Sequence, residues 1–109
     1  MSLLLALDIG GTHTRAAVAG RDRRILRHAQ APTPADLQSG LDLIWRLSAE
    51  VLAGDDVTAV GVSIGGPLDW RSGVVSPLHQ PAWRDVPLGD LLEARFSCRA
   101  HIDVDTNVA

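Results

Sequence analysis

The sequence lacks several features that would point to other classes of protein. It contains one cysteine, Cys98, so an internal disulfide bond is excluded, and this agrees with a reducing cytoplasm. It contains no lysine, and its ten basic residues are arginines dispersed along the chain among thirteen acidic residues. With a net charge of −3 and no basic stripe, we expect no nucleic-acid partner.

Long hydrophobic runs are also missing. The first apolar segment, Leu3–Ile9, is interrupted by Asp8 and is far too short to span a bilayer. No basic segment followed by a long apolar stretch opens the chain, so we predict no signal peptide. We therefore expect a cytoplasmic protein that does not interact with membranes.

What is present predicts one folded α/β domain over residues 1–109, because 46% of the residues are apolar. Three short apolar segments joined by tight turns predict the strands Leu3–Ile9, Thr14–Gly20 and Ile25–Ala31. A helix is predicted next, capped by Thr33 with Pro34 at its first position. Its apolar stripe is predicted at Leu37, Leu41, Ile44, Ser48, Val51 and Leu52, and Gly54 marks its end.

The second half of the chain continues with alternating elements. A strand is predicted over Val57–Ile64, an irregular stretch from Leu68 to about Val86, a short helix over Pro87–Phe96, and a last strand over Ala100–Val104. The order β-β-β-α-β-α-β predicts a mixed sheet with helices on both faces.

Asp8, Gly10, Gly11 and Thr12 form the first group of candidate functional residues. Glycines allow the backbone to approach a phosphate and to offer N–H donors, and a carboxylate can hold a metal ion through water. The alternative is a hairpin turn that simply needs glycine. Because a charge at a buried strand end is costly, Asp8 favours a functional interpretation.

Two further groups follow strands. Gly65 and Gly66 follow the strand that ends at Ile64, where bare backbone can contact a ligand; the alternative is an ordinary turn. Asp105 and Asn107 follow the last strand, where open α/β sheets place ligands, and a carboxylate there can accept a proton from a hydroxyl group. The alternative is that Asp105 or Thr106 caps the next helix.

Taken in order, these segments resemble the ROK family, which groups glucokinase-type sugar kinases with sugar-responsive repressors. The resemblance rests on Leu7–Thr12, Gly61–Asp69, Ser72–Ser76, Pro81–Trp83, Val86–Leu88 and Asp105–Asn107. It implies a ribonuclease-H-like lobe of the actin-like ATPase superfamily, the N-terminal lobe of two that close over a cleft.

The resemblance also implies ligands and roles. ATP and Mg²⁺ would be cofactors, with Asp8 holding the metal ion through water and Gly10, Gly11 and Thr12 facing the phosphates. A sugar would be the substrate, contacted by Gly65, Gly66, His79 and Asn107. Asp105 would be the catalytic base in phosphoryl transfer to a sugar hydroxyl. We expect a homo-oligomer.

The sequence departs from the family pattern at two positions. Val104 replaces an asparagine that precedes the catalytic aspartate, and His79 replaces an asparagine near Pro81–Trp83. Because a missing polar partner alters sugar selectivity, glucose is not assumed to be the substrate.

The 109 residues include no second phosphate loop, adenosine pocket or cysteine-rich zinc motif, all of which the resemblance places in a C-terminal lobe. We therefore expect an inactive fragment of a kinase. The alternatives are a sugar-sensing regulator that has lost catalysis and a binding module. A DNA-binding regulator is disfavoured because only Met1 and Ser2 precede the first strand.

Overall fold

The computed structural model describes residues 3–65, 68–69, 73–77 and 82–104. The strands are β1 (Leu3–Ile9), β2 (His13–Ala19), β3 (Ile25–Pro32), β4 (Val57–Ile64), β5 (Leu68–Asp69), β6 (Val74–Val75), β7 (Val86–Pro87) and β8 (Arg99–Val104). The helices are α1 (Leu37–Leu52) and α2 (Leu88–Phe96). Neither described helix is long and apolar enough to cross a membrane.

The main sheet has five strands in the order β3-β2-β1-β4-β8. β1 is antiparallel to β2, and β2 is antiparallel to β3, whereas β4 runs parallel to both β1 and β8. Short turns suffice for the antiparallel pairs, while α2 connects the parallel strands β4 and β8. The predicted α/β fold with a central mixed sheet is confirmed.

β1 shows how the strand sequence generates one packed face. Leu3, Leu5, Leu7 and Ile9 are buried, whereas the residues between them are exposed. Alternate side chains of a strand point to opposite faces of the sheet, so one face of β1 enters the core and the other does not. The first five residues of β1 look continuously apolar in the sequence because Leu4 and Ala6 occupy the exposed face.

Both described helices pack against the same face of the sheet. The ring of Trp45 on α1 meets the ring of Phe96 on α2 edge-on, with centroids 6.0 Å apart and planes at 65°. The guanidinium of Arg95 lies 5.1 Å from the centroid of a Trp45 ring. Helices were expected on both faces of the sheet. Among the described residues, they lie on one face only.

α1 begins three residues later than Thr33-Pro34 would place it. Asp36 is the N-cap, and its carboxylate accepts a hydrogen bond of 2.8 Å from the Ser39 N–H. This bond holds the pKa of Asp36 below its usual value. Thr33 is unavailable as a cap because its hydroxyl group is bonded elsewhere, as described below. At the other end Ala53, rather than Gly54, is the left-handed C-cap.

The apolar stripe of α1 is also rotated from its predicted position. Gly40, Leu43 and Leu47 are buried with the predicted Ile44, Ser48, Val51 and Leu52, whereas Leu37 and Leu41 are only half-buried. Gly40 was missed because a glycine contributes nothing to an apolar pattern. The tertiary structure buries it against a tryptophan.

The stretch after β4 is more regular than predicted. β5, β6 and β7 form a small antiparallel sheet, which corrects the expectation of an irregular segment from Leu68 to about Val86. Gly73 has a φ of 70°, and its carbonyl accepts a hydrogen bond of 3.1 Å from the Gly89 N–H. Strands of two residues are too short to produce a periodic pattern, so only pairing partners distant in sequence reveal them.

Candidate functional site at one edge of the sheet

The three predicted functional segments start from neighbouring positions at one edge of the main sheet. In the parallel pairs, Ile9 lies opposite Ile64, and Ile64 lies opposite Val104. These are the last residues of β1, β4 and β8. Neighbouring strands lie about 4.8 Å apart, so the outer two of these strand ends are separated by only about 10 Å.

The turn after β1 is held by Thr33 from the segment that follows β3. The Thr33 hydroxyl donates a hydrogen bond of 2.7 Å to the Gly10 carbonyl, and the Thr33 N–H donates one of 2.9 Å to the Thr12 carbonyl. The hydroxyl oxygen also lies 2.9 Å from that of Thr14, which is buried. The turn is thus tied at both of its ends to a neighbouring segment.

This bonding leaves specific donors available. The Gly10 N–H is already used, because it donates to the His13 carbonyl at 3.0 Å. Gly11 and Thr12 are exposed, and among the described residues no acceptor is bonded to their N–H groups. The turn therefore presents two neighbouring backbone donors and the Thr12 hydroxyl, a suitable set for phosphate oxygens.

Thr33 is a residue of this site that the sequence did not reveal as such. It was predicted to cap α1, because threonine before proline is typical of a helix start. Its bonding partners Gly10 and Thr14 are 23 and 19 residues away in the sequence, so no local pattern indicates them.

Asp8 lies on the exposed face of β1, so the expectation of a costly charge at a buried strand end is wrong. Arg15 and Ser63 are its partners in register on β2 and β4. All three line a broad open depression of about 710 Å³ on the uncovered face of the sheet, which is the face against which neither described helix packs. An exposed carboxylate needs no protein partner to remain charged, which suits a ligand to a hydrated metal ion.

The described residues contain no group of three or more His, Cys, Asp or Glu side chains that could hold a metal ion. Within this part of the chain, Asp8 would therefore act with ligands from elsewhere. That arrangement fits Mg²⁺, which usually keeps several waters and binds one or two carboxylates together with substrate phosphates.

On the sugar side, the structure describes only part of the predicted set. Gly65 follows β4, and a methyl group built on it would lie 3.8 Å from Cβ of Pro77, so the two residues are neighbours. Gly66, His79, Asp105 and Asn107 lie outside the described residues.

Trp83 is the tryptophan of the Pro81–Trp83 segment that contributes to the family resemblance. A tryptophan in this segment can stack on a sugar ring or pack in the core. Its side chain is 0% exposed and belongs to the core cluster. Stacking on a sugar is therefore excluded in this arrangement, and Trp83 is a packing residue.

Comparison with protein families shows to which family the chain belongs. The model of the ROK family matches residues 4–109. The chain belongs to the ROK family. One curated relative, a glucokinase from Streptomyces coelicolor, is 29% identical over all of this chain, which spans only 34% of that glucokinase.

Solved structures of ROK proteins share the fold. A ROK family glucokinase from Streptomyces griseus, in complex with glucose and AMPPNP, matches 96% of this chain and 34% of its own, with 32% identity and a TM-score of 0.84. A ROK family transcriptional regulator matches 96% of this chain and 28% of its own, with 17% identity and a TM-score of 0.77. The fold is therefore common to ROK kinases and regulators.

Proposed function

We propose that residues 1–109 form the N-terminal lobe of an ATP-dependent sugar kinase, which transfers the γ-phosphate of ATP to a sugar hydroxyl. The observation that carries this proposal is the register of Ile9, Ile64 and Val104, because it brings the starts of a phosphate turn, a glycine turn and an acidic segment to one edge of the sheet. The glucokinases among the relatives support the same reaction class.

On the ATP side, the turn of Gly10, Gly11 and Thr12 would contact the phosphates. Thr33 fixes the turn, and the unused N–H groups of Gly11 and Thr12 would donate to phosphate oxygens, whereas Gly10 would serve through its close backbone approach. Asp8 would hold Mg²⁺ through water. When bound, this ion would neutralise charge on the phosphates, on which phosphoryl transfer largely depends.

On the sugar side, Gly65 and Gly66 would lie against the sugar, and His79 and Asn107 would bond its hydroxyl groups. Asp105 would accept the proton of the attacking hydroxyl as the general base. Val104 and His79, which replace polar family residues, would alter the choice of sugar. The sugar itself stays open within this proposal.

We expect the 109 residues alone to be inactive. Phosphoryl transfer requires positioning and charge neutralisation from both sides of the phosphate chain, and the chain spans about a third of the length of the glucokinases it matches. The second phosphate loop, the adenosine pocket and any zinc site would belong to a C-terminal lobe. Robust ATP turnover by these residues alone would contradict this expectation.

A second candidate is a sugar-sensing regulator without catalysis. The fold shared with the ROK transcriptional regulator supports it, as do Val104 and His79 at positions where family kinases carry asparagine. Sugar binding without phosphoryl transfer would distinguish it from a kinase.

Sugar-dependent ADP release by the full-length protein tests the proposal. Glucose, mannose and glucosamine would serve as acceptors, and binding of each would be measured separately by calorimetry. We expect at least one acceptor to give turnover. Asp105→Asn should abolish turnover and retain sugar binding, while Asp56→Asn, at an exposed position between α1 and β4, should remain active. Binding of a sugar with no ADP release would favour the sensor.

A further inference from the structure

The core contains a close contact between α1 and the segment joining β6 to β7. A methyl group built on Gly40 would lie 2.7 Å from Cζ2 and 3.3 Å from Cε2 of Trp83. Real side chains do not approach so closely, so Gly40 is the residue type that lets this indole lie against α1. Glycine is unfavourable inside a helix, which makes its presence at the contact informative.

Trp83 occupies this place despite an unsatisfied polar atom. Its indole Nε1 is buried and has no hydrogen-bond partner in the described part of the chain. Burying an N–H group without a partner is unfavourable, so packing against α1 must outweigh that cost. The indole therefore fixes one end of the segment from Ser76 to Asp85.

The two ends of this segment are bonded to each other. The Asp85 N–H donates a hydrogen bond of 2.8 Å to the Ser76 hydroxyl, and Nη1 of Arg84 donates one of 3.1 Å to the Pro77 carbonyl. Pro77 in turn neighbours Gly65 at the end of β4. Trp83, Arg84 and Pro77 thus lie in succession between α1 and Gly65 at the end of β4.

We propose that Gly40 and Trp83 are a positioning pair: their contact sets the place of Pro77 against Gly65 and thereby the affinity of the protein for its sugar. This inference rests on the proposed function, because Gly65 is assigned there to the sugar side. Neither residue touches the sugar. The pair acts on substrate binding through packing, whereas the ATP turn is held by hydrogen bonds of a different residue, Thr33.

Steady-state kinetics of the full-length protein test the pair, with the acceptor that gives the fastest ADP release among glucose, mannose and glucosamine. Gly40→Ala should raise the KM for this sugar roughly tenfold, because small displacements of positioning groups have large effects, and leave the KM for ATP within about twofold. Glu50→Ala, at an exposed position on the same helix, is the matched control and should change neither value.

The decisive test combines Gly40→Ala with Trp83→Phe. Phenylalanine lacks the ring atoms that a methyl group on residue 40 would meet. Trp83→Phe alone should raise the sugar KM a few-fold by loosening the contact. In that background Gly40→Ala should lower the sugar KM again, so the sign of its effect reverses. An equal effect of Gly40→Ala in both backgrounds would overturn the proposal.

Hydrogen exchange separates this inference from the proposed function. Gly40→Ala should accelerate exchange of the Asp85 amide, and Trp83→Phe in addition should slow it again. If the wild-type protein releases no ADP with any sugar, the proposed function fails. An active protein whose Asp85 exchange changes while its sugar KM does not would overturn the positioning role alone. Unchanged exchange in Gly40→Ala would overturn the contact itself.

Discussion

The two faces of the main sheet are built from the same strands but have opposite environments. On one face, Leu5 is 1% exposed and lies beneath the layer formed by α1 and α2. On the other face, its neighbour Leu4 is 40% exposed, and small or polar side chains such as Ala6 and Ser63 surround the open depression. Leu4 and Leu5 are adjacent in the sequence, yet one is a surface residue and the other is a core residue.

The difference shows where stability and function are separated in this lobe. The covered face supplies the burial that stabilises the fold, because hydrophobic stabilisation follows the apolar area removed from water. The uncovered face carries Asp8, the proposed ligand to Mg²⁺, which would be costly to ionise on the covered face. Sheets usually bury their apolar surface against a second layer, so an uncovered face with Leu4 is also suited to association.

The largest expected effect on stability comes from truncating a leucine side chain, and it should differ between the two faces. Leu5→Ala should destabilise the protein by about 2–5 kcal/mol, because it removes buried methyl groups and leaves a cavity. Leu4→Ala should cost about 1 kcal/mol or less, since the side chain is partly in water already. Urea denaturation of the 109-residue chain measures both. Equal losses would contradict the assignment of the two faces.

A smaller effect on stability is expected where the outer strand β3 is hydrogen-bonded to the C-terminal end of α1. Arg27 on β3 donates hydrogen bonds of 2.5 Å to the Val51 carbonyl and 3.1 Å to the Leu52 carbonyl, at the C-terminal end of α1. It also pairs with Asp55 at 2.9 Å.

Arg27→Ala should therefore cost about 1–2 kcal/mol, because a cation bonded to the last carbonyls of a helix stabilises it. Arg24→Ala is the matched control: its side chain is 85% exposed, and its ion pair with Asp22 spans 3.8 Å. Exposed ion pairs contribute little, so this variant should unfold at nearly the wild-type urea concentration. If the two variants lost the same amount of stability, the hydrogen bonds of Arg27 to the end of α1 would contribute no more than an exposed ion pair.

Association through the uncovered face is the next prediction. We expect the 109-residue chain to self-associate and Leu4→Arg to weaken this association, because a charge replaces apolar surface. Ala94→Arg adds the same charge at an exposed position on α2 and should leave association unchanged. Light scattering over a concentration series decides, and a clean monomer at high concentration would refute the prediction. The homo-oligomer expected from the sequence for the native protein stays a prediction.

The smallest effect concerns the cap of α1 and is visible mainly in acid. The Ser39 N–H lowers the pKa of Asp36 in the folded state, so the carboxylate stabilises the fold above the pKa of an unfolded aspartate. That contribution disappears as the pH falls through the lower, folded value. Asp36→Asn keeps a cap but does not titrate, so its Tm should fall less than that of the wild type on acidification. Parallel Tm–pH curves would show that Asp36 is not involved.

Local patterns were sufficient to predict most elements of the fold. The apolar runs of β1 and β4 and the glycines after them indicated strands that end at turns, and the order of elements predicted the mixed sheet. The family resemblance, carried by ordered segments and not by one motif, is confirmed. The start of α1 was predicted wrongly, because Thr33 has the local features of a cap.

The sequence named the residues of the candidate site but gave little of its geometry. Asp8, Gly10, Gly11 and Thr12 were named from their sequence, yet the use of the Gly10 N–H within the turn and the exposure of Asp8 depend on the packed structure. Roles for Gly66, His79, Asp105 and Asn107 remain predictions. Thr33 was missed because its partners are distant along the chain.

The sequence by itself determined which residues can form strands and helices, which turns contain glycine, and which residues have chemistry suited to phosphate and sugar. These properties follow from local periodicity and from side-chain type. Only the tertiary structure decided that Thr33 holds the turn after β1, that Gly40 accommodates Trp83, and that both described helices pack on the same face of the sheet. Each of these depends on contacts between segments far apart in the chain, which no local pattern contains.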